Sequence, residues 1–189
     1  MAVVSDLKKM IRGKLINKRK DFNDYIFKQE NDIIYQKVME LISCHSSPLH
    51  KEQIGLYWPL KAEPDLLKIA IIAKNAVGLP KIRNSEMSFT RYRPGDPIEK
   101  SSVPNLYHPV QEIEIVPELI IVPGLGFSID GYRIGYGYGY YDKYLNKIST
   151  SKPITIGVCF HDNLFEYLPF EEHDYQLDYI VTDKIIIKR

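Results

Sequence analysis

Apolar spacing sets the first expectations. Leu7, Met10, Ile11 and Leu15 recur at helical intervals, with Lys8, Arg12 and Arg19 on other sides of the wheel, which predicts an amphipathic helix over residues 5–20. Ile34, Val38, Leu41 and Ile42 mark the buried face of a second helix that ends in the Ser-Cys-His-Ser-Ser-Pro stretch at 43–48. Residues 53–58 (QIGLYW) read as a buried strand. Pro64-Asp65 opens an expected helix through about Val77, with Gly78 as its stop, and short strands follow at 79–83 and 87–92. Prolines at 94, 97, 104, 109 and 117 break up 93–117, which predicts a surface connection or lid.

The run LIIV at 119–122 is continuous and rich in β-branched residues, the pattern of a central parallel strand covered on both faces. A glycine-rich loop then leads into a helix around 139–148, followed by ITIGVCF (154–160), a short helical stretch, DYIVTD (178–183) and IIIK (185–188). Alternating strands and helices predict an α/β fold, a three-layer sandwich whose mostly parallel central sheet is flanked by helices. One domain over 1–189 accommodates the series.

Composition narrows the function classes. An apolar fraction of 44% and a charged fraction of 26% suit a single globular core. Twenty-five basic and 24 acidic residues give a net charge of +1, so the whole-molecule field announces neither nucleic acid nor membrane. Cys44 and Cys159 lack ligand spacing, which argues against a zinc site or a disulfide framework and favours a reducing cytoplasm. There is no 18-residue apolar run, and the opening MAVVSDLKKMIRGK lacks the apolar core of a secretory signal. The five histidines show no ligand spacing, and His173 stands out because it adjoins Asp174, an acid that matters below.

The chemistry concentrates in one stretch. Six of the eleven glycines fall between 124 and 139, and six of the fourteen tyrosines between 132 and 144, centred on RIGYGYGYYD at 133–142. A glycine loop after a parallel strand permits positive φ and close approach of backbone N–H groups, and a helix start adds partial positive charge. Phosphate fits such a loop. The Walker pattern is missing, and GxGxxG fails because Tyr140 stands at the last glycine. A tight turn with packed aromatics is the competing reading.

The segment VPGLGFSIDGYRIGYGYGYYDKYL (122–145) resembles the hallmark of the 5-formyltetrahydrofolate cyclo-ligase family, also called methenyltetrahydrofolate synthetases. The resemblance extends to Lys8-x-x-x-Arg12, Tyr57 to Glu63, the Leu79-Pro80 turn, Met87-x-Phe89 and LPFEEHDYQLDYIVTD at 168–183. It implies an ATP- and magnesium-dependent ring closure, in which 5-formyltetrahydrofolate becomes 5,10-methenyltetrahydrofolate with release of ADP and phosphate through a phosphorylated formyl (iminium phosphate) intermediate. It further implies ATP contacts at Lys8, Arg12, Arg133, Ile134, Gly135, Tyr136, Gly137, Tyr138, Gly139, Tyr140 and Tyr141. Folate contacts are implied at Arg12, Trp58, Leu60, Glu63 and the loop from Tyr136 through Gly137, Tyr138 and Gly139 to Tyr140, and magnesium ligands at Asp142 and Asp174.

Lys8 and Arg12 stand i, i+4 on one helix face, which costs roughly 0.2–0.5 kcal/mol unless an anion sits between them. Two positions depart from the family pattern: Tyr138 replaces a Gly or Lys, and Asn163 replaces a Gln. The expected protein is a cytoplasmic monomer whose partners are ATP and 5-formyltetrahydrofolate, polyglutamylated or not, without membrane or nucleic acid. The alternative is a non-catalytic cyclo-ligase-like protein that binds nucleotide or RNA through its first helix, where Lys8, Lys9, Arg12, Lys14, Lys18, Arg19 and Lys20 could track a phosphate backbone.

Overall fold

A computed structural model describes residues 2–20, 27–45, 53–73, 77–148 and 152–189. Helices α1 (Ala2–Lys20) and α2 (Lys28–His45) open the chain, the short strand β1 (Ile54–Gly55) follows, and α3 is a five-residue helix (Ile69–Ala73). Strands β2 (Val77–Arg83) and β3 (Glu86–Arg91) form an antiparallel hairpin. Next come β4 (Ile98–Lys100), β5 (Tyr107–Pro109), β6 (Glu114–Ile115) and β7 (Leu119–Val122). β8 (Gly126–Ser128), β9 (Arg133–Ile134) and α4 (Tyr140–Lys147) carry the glycine-rich region, and β10 (Ile154–Val158), β11 (Leu164–Phe165), β12 (Tyr179–Val181) and β13 (Ile186–Lys188) complete the chain.

Eight strands make one sheet in the order β13-β12-β10-β7-β1-β2-β3-β6. Its centre, from β12 to β2, is parallel, and antiparallel strands close both edges. Period-two alternation divides the core. Leu119 and Ile121 point into a cluster with Ile34, Val38 and Ile42 of α2, while Ile120 and Val122 point into another with Tyr144 and Leu145 of α4. Helices therefore lie on both faces, as the pattern of LIIV required. A second small sheet, β11-β8-β9, joins Leu15 of α1 in a third cluster with Leu125, Ile134 and Leu168.

Several expectations need correction. Leu7 and Met10, read as buried, are exposed, while Lys8 and Arg19 are buried beside Leu15. The helix expected over 64–77 is confined to Ile69–Ala73, residues 74–76 lying outside the described set. Gly78 is no helix stop: it pairs with Gly55 across the parallel β1–β2 ladder, and a Cβ there would sit 2.6 Å from Ile115 Cδ1. Leu79-Pro80 lies within β2, paired with Thr90 and Phe89, and forms no turn. The strand at 53–58 shortens to Ile54–Gly55, with Leu56 and Tyr57 buried beyond it. Within 93–117, β4 and β5 form their own hairpin and β6 joins the main sheet edge. The loop expected at 43–48 leaves the described residues after His45. Cys44 and Cys159 are free thiols, and no described helix is long and apolar enough to cross a membrane.

Candidate active site: a cleft between the glycine loop and the first helix

A cleft of about 780 Å³ opens beyond the carboxyl ends of β1 and β7, where Tyr57, Trp58 and Pro123-Gly124 reach its wall. This is where open α/β sheets bind ligands. One side is polar. Lys8 and Arg12 come from α1, Gly135 to Asp142 from the loop and the start of α4, and Glu171, His173 and Asp174 from the segment before β12. The other side is apolar, lined by Trp58, Leu60, Met87, Val103 and Leu106, with the Glu63 carboxylate set among them. Of the residues expected here, all but Ile134 line the cleft. Ile134 is 1% exposed, and its side chain belongs to the core under α1.

The loop is held open by α1. Arg12 Nε donates to the Gly135 carbonyl at 2.8 Å, and its guanidinium lies against Gly137, where a Cβ would stand 3.1 Å from Arg12 Cζ. Gly137 has φ +98° and Gly139, which caps α4, φ +69°. Left-handed backbone and close approach both require glycine there. Among the described residues the two terminal nitrogens of Arg12 have no protein partner. Of the intervening rings, the Tyr136 hydroxyl accepts from Arg19, and Tyr138 stacks on Tyr140 with centroids 5.6 Å apart.

Arg19, which the sequence placed off the apolar face of the first helix and outside the expected site, lies behind the cleft. It is 7% exposed, and Nη1 donates to Glu63 Oε1 at 3.1 Å, Tyr136 Oη at 2.7 Å and the Lys61 carbonyl at 3.4 Å, while Nη2 donates to the Gly124 carbonyl at 2.6 Å. One guanidinium thus ties the loop, the end of β7 and the turn carrying Glu63. That turn is strained: Ala62 adopts φ +62°, a conformation costing roughly 1–2 kcal/mol for an L residue. It lets Glu63 Oε2 accept from the Leu60 amide at 3.0 Å. Burial pushes the Glu63 carboxyl above its ordinary value, and Arg19 offsets only part of this.

Acids and cations are paired across the polar side. Lys8 Nζ donates to both oxygens of Asp174 at 2.8 and 2.7 Å and to Glu171 Oε2 at 3.0 Å. Arg133 grips Asp142 with two bonds, at 2.6 and 3.1 Å, and the Tyr175 amide adds a third at 3.1 Å. Burial opposes ionisation of Asp142, but these three donors and the Arg133 charge more than offset it, so the carboxyl lies below its ordinary range. Glu171, His173 and Asp174 bring three ligand atoms within 4.8 Å of one another. Of the two expected metal ligands, Asp174 therefore lies in a cluster suited to a cation, whereas Asp142 faces Arg133. His173, without ligand spacing in the sequence, reaches this cluster by adjacency to Asp174. Asn163 lies off the cleft in a 3-10 turn (His161–Asn163).

The Tyr141 hydroxyl is buried, without a protein partner, on the cleft wall, and burial raises it well above the ordinary phenol value. Arg133 Nε and Arg19 Nε are likewise buried and unpaired. Native interiors seldom leave such groups orphaned, at about 1–3 kcal/mol each.

Fold and cleft together define an α/β protein whose glycine-rich loop and first helix border a cleft of mixed polar and apolar lining. The profile of the 5-formyltetrahydrofolate cyclo-ligase family matches residues 4–183, and the chain belongs to that family. A 5-formyltetrahydrofolate cyclo-ligase of Mycoplasma genitalium is 28% identical over 178 residues, covering 93% of this chain and 98% of the relative. That of Mus musculus is 40% identical over 69 residues, and the match spans only 34% of the mouse protein and 35% of this chain. The solved structure of Aquifex aeolicus 5,10-methenyltetrahydrofolate synthetase aligns with a TM-score of 0.76 at 28% identity, covering 96% of this chain and 92% of that one.

Proposed function

We propose that this chain is an ATP-dependent 5-formyltetrahydrofolate cyclo-ligase, which forms 5,10-methenyltetrahydrofolate with release of ADP and phosphate. The observation that carries the reading is a single cleft lined by two unlike sets of residues: Arg12 with the glycine loop from Gly135 to Gly139, and an apolar set holding one buried carboxylate, Glu63. A triphosphate suits the first and a pterin ring the second. In this account Glu63 accepts hydrogen bonds from pterin N–H groups, Trp58 and Leu60 wall the ring, and Lys8, Arg12, Arg133 and the loop from Gly135 to Tyr141 bind ATP. Arg12 and the loop from Tyr136 to Tyr140 also reach the folate.

The formyl oxygen attacks the γ-phosphorus and ADP leaves. N10 then attacks the formyl carbon and gives up its proton, the carbon–oxygen bond breaks, and phosphate departs with the former formyl oxygen and takes up that proton. The protein's share is placement and charge neutralisation. The family's magnesium fits Asp174 and Glu171, hard oxygen donors one salt bridge away from release by Lys8; bound there, it would neutralise phosphate charge. Asp142 either joins it through its remaining lone pairs or serves by holding Arg133.

The RNA-binding alternative loses its main support in the first helix. Lys8 and Arg19 are buried in ion pairs, Arg12 bonds Gly135, and Lys18 bonds the Asp162 carbonyl.

An oxygen-label experiment tests the chemistry. With 18O in the formyl group, the released phosphate should carry one labelled oxygen per turnover, read by mass spectrometry. Label appearing in water, with unlabelled phosphate, would contradict the phosphorylated intermediate.

A further inference from the structure

We infer that Lys81 is a positioning residue for the folate half of the cleft, pinning the 98–112 hairpin against the sheet; the ligand's identity rests on the cyclo-ligase reading above. Lys81 stands in β2 with its side chain only 3% exposed. Its ammonium meets Glu112 Oε1 at 2.9 Å, the Pro109 carbonyl at 3.0 Å, the Val110 carbonyl at 3.2 Å and Glu99 Oε1 at 3.3 Å. All four acceptors belong to one segment. Burying an ammonium is costly unless it is paired and hydrogen-bonded, so Lys81 is satisfied only while that hairpin is docked.

The hairpin needs such an anchor. Its strands β4 and β5 pair with each other as a separate two-stranded sheet, apart from the eight-stranded one. Beyond Lys81, the side-chain attachments described include the more exposed Arg83 of β2, whose Nη2 donates to Glu112 Oε1, Gln111 Nε2, which donates to the Arg91 carbonyl and to Asp96 at 2.6 Å each, and the Tyr107 ring, which packs on Trp58 at 5.5 Å. At its tip the hairpin contributes Val103 and Leu106 to the apolar wall. Arg12 and the glycine loop are contributed by other elements, α1 and the segment after β9. Loosening the anchor should therefore weaken the folate side and spare the nucleotide side.

Trp58 is the only tryptophan in the chain, and it touches the hairpin directly, so its fluorescence reports docking without any ligand. Two variants separate anchoring from core damage. Lys81→Met removes the buried cation, whereas Glu99→Gln/Glu112→Gln strips the charge from side chains that are 49% and 56% exposed and leaves the core intact. Each should at least double acrylamide quenching of Trp58 and raise the KM for 5-formyltetrahydrofolate roughly tenfold, with kcat and the KM for ATP within about threefold of the parent. Unchanged quenching in the double variant, or equal losses in both KM values, would overturn the assignment. If Lys81→Met does not fold, the double variant decides alone. Should the parent form no methenyl product, the cyclo-ligase reading fails, while the quenching comparison still decides the anchor.

Discussion

Arg19→Met is expected to lose about 3–5 kcal/mol of stability and, in whatever protein remains folded, tight folate binding. The variant leaves the Glu63 carboxylate buried, with the Leu60 amide as its remaining donor, and releases the Gly124 carbonyl and Tyr136 hydroxyl together. Uncompensated buried charge is the dominant cost, larger than the lost bonds themselves. Glu63→Gln in the same chain should return part of that loss, because a neutral amide tolerates burial. Urea midpoints for the two single variants and the double variant give the coupling directly, expected at 0.5–3 kcal/mol by the usual range for contacting pairs, roughly. An Arg19→Met loss below about 0.5 kcal/mol, the scale of ordinary surface changes, would show that Arg19 is no hub.

Asp142→Asn should reduce turnover by on the order of a hundredfold and stability by about 3 kcal/mol. The stability loss follows from Arg133, whose guanidinium is nearly buried and keeps no other acidic partner among the described residues. Its pH dependence has a definite sign. Burial raises the Asp142 carboxyl, Arg133 and the Tyr175 amide together lower it by more, and the net folded value is below the ordinary 3.8. A carboxyl that binds protons less well when folded adds stability above its unfolded pKa and loses it as pH falls through the folded one. Parent and variant should differ at pH 7 and converge below pH 3.8. A constant gap down to about pH 2 would contradict the ion pair as its source.

How much of this was legible in the sequence depends on the range of the forces involved. LIIV declared its central place because each residue needs cover on one face or the other, and both cores supply it. The glycine loop was legible because Gly137 and Gly139 need backbone angles that other residues avoid. Arg19 was not. Lys8, Arg12, Leu15 and Arg19 recur at spacings of four, three and four, the stripe a buried helix face would use. The resemblance marked Lys8 and Arg12 for the site, but nothing local marked Arg19 as buried, since the partners Glu63 and Asp174 that bury Arg19 and Lys8 lie 44 and 166 positions away. The same blindness lengthened the helix at 64–77: Val77 and Gly78 belong to a ladder with Ile54 and Gly55, which no local pattern encodes. The stretch at 93–117, expected as a surface connection or lid, contains a hairpin pinned by a lysine of a neighbouring strand.

The most direct measurement mixes the full chain with 5-formyltetrahydrofolate, magnesium and ATP, and follows the methenyl chromophore alongside ADP. The two-halved cleft predicts one methenyl product per ADP, with none when ATP is withheld. Chromophore formed without ATP, or ADP formed without chromophore by a folded protein, would contradict it.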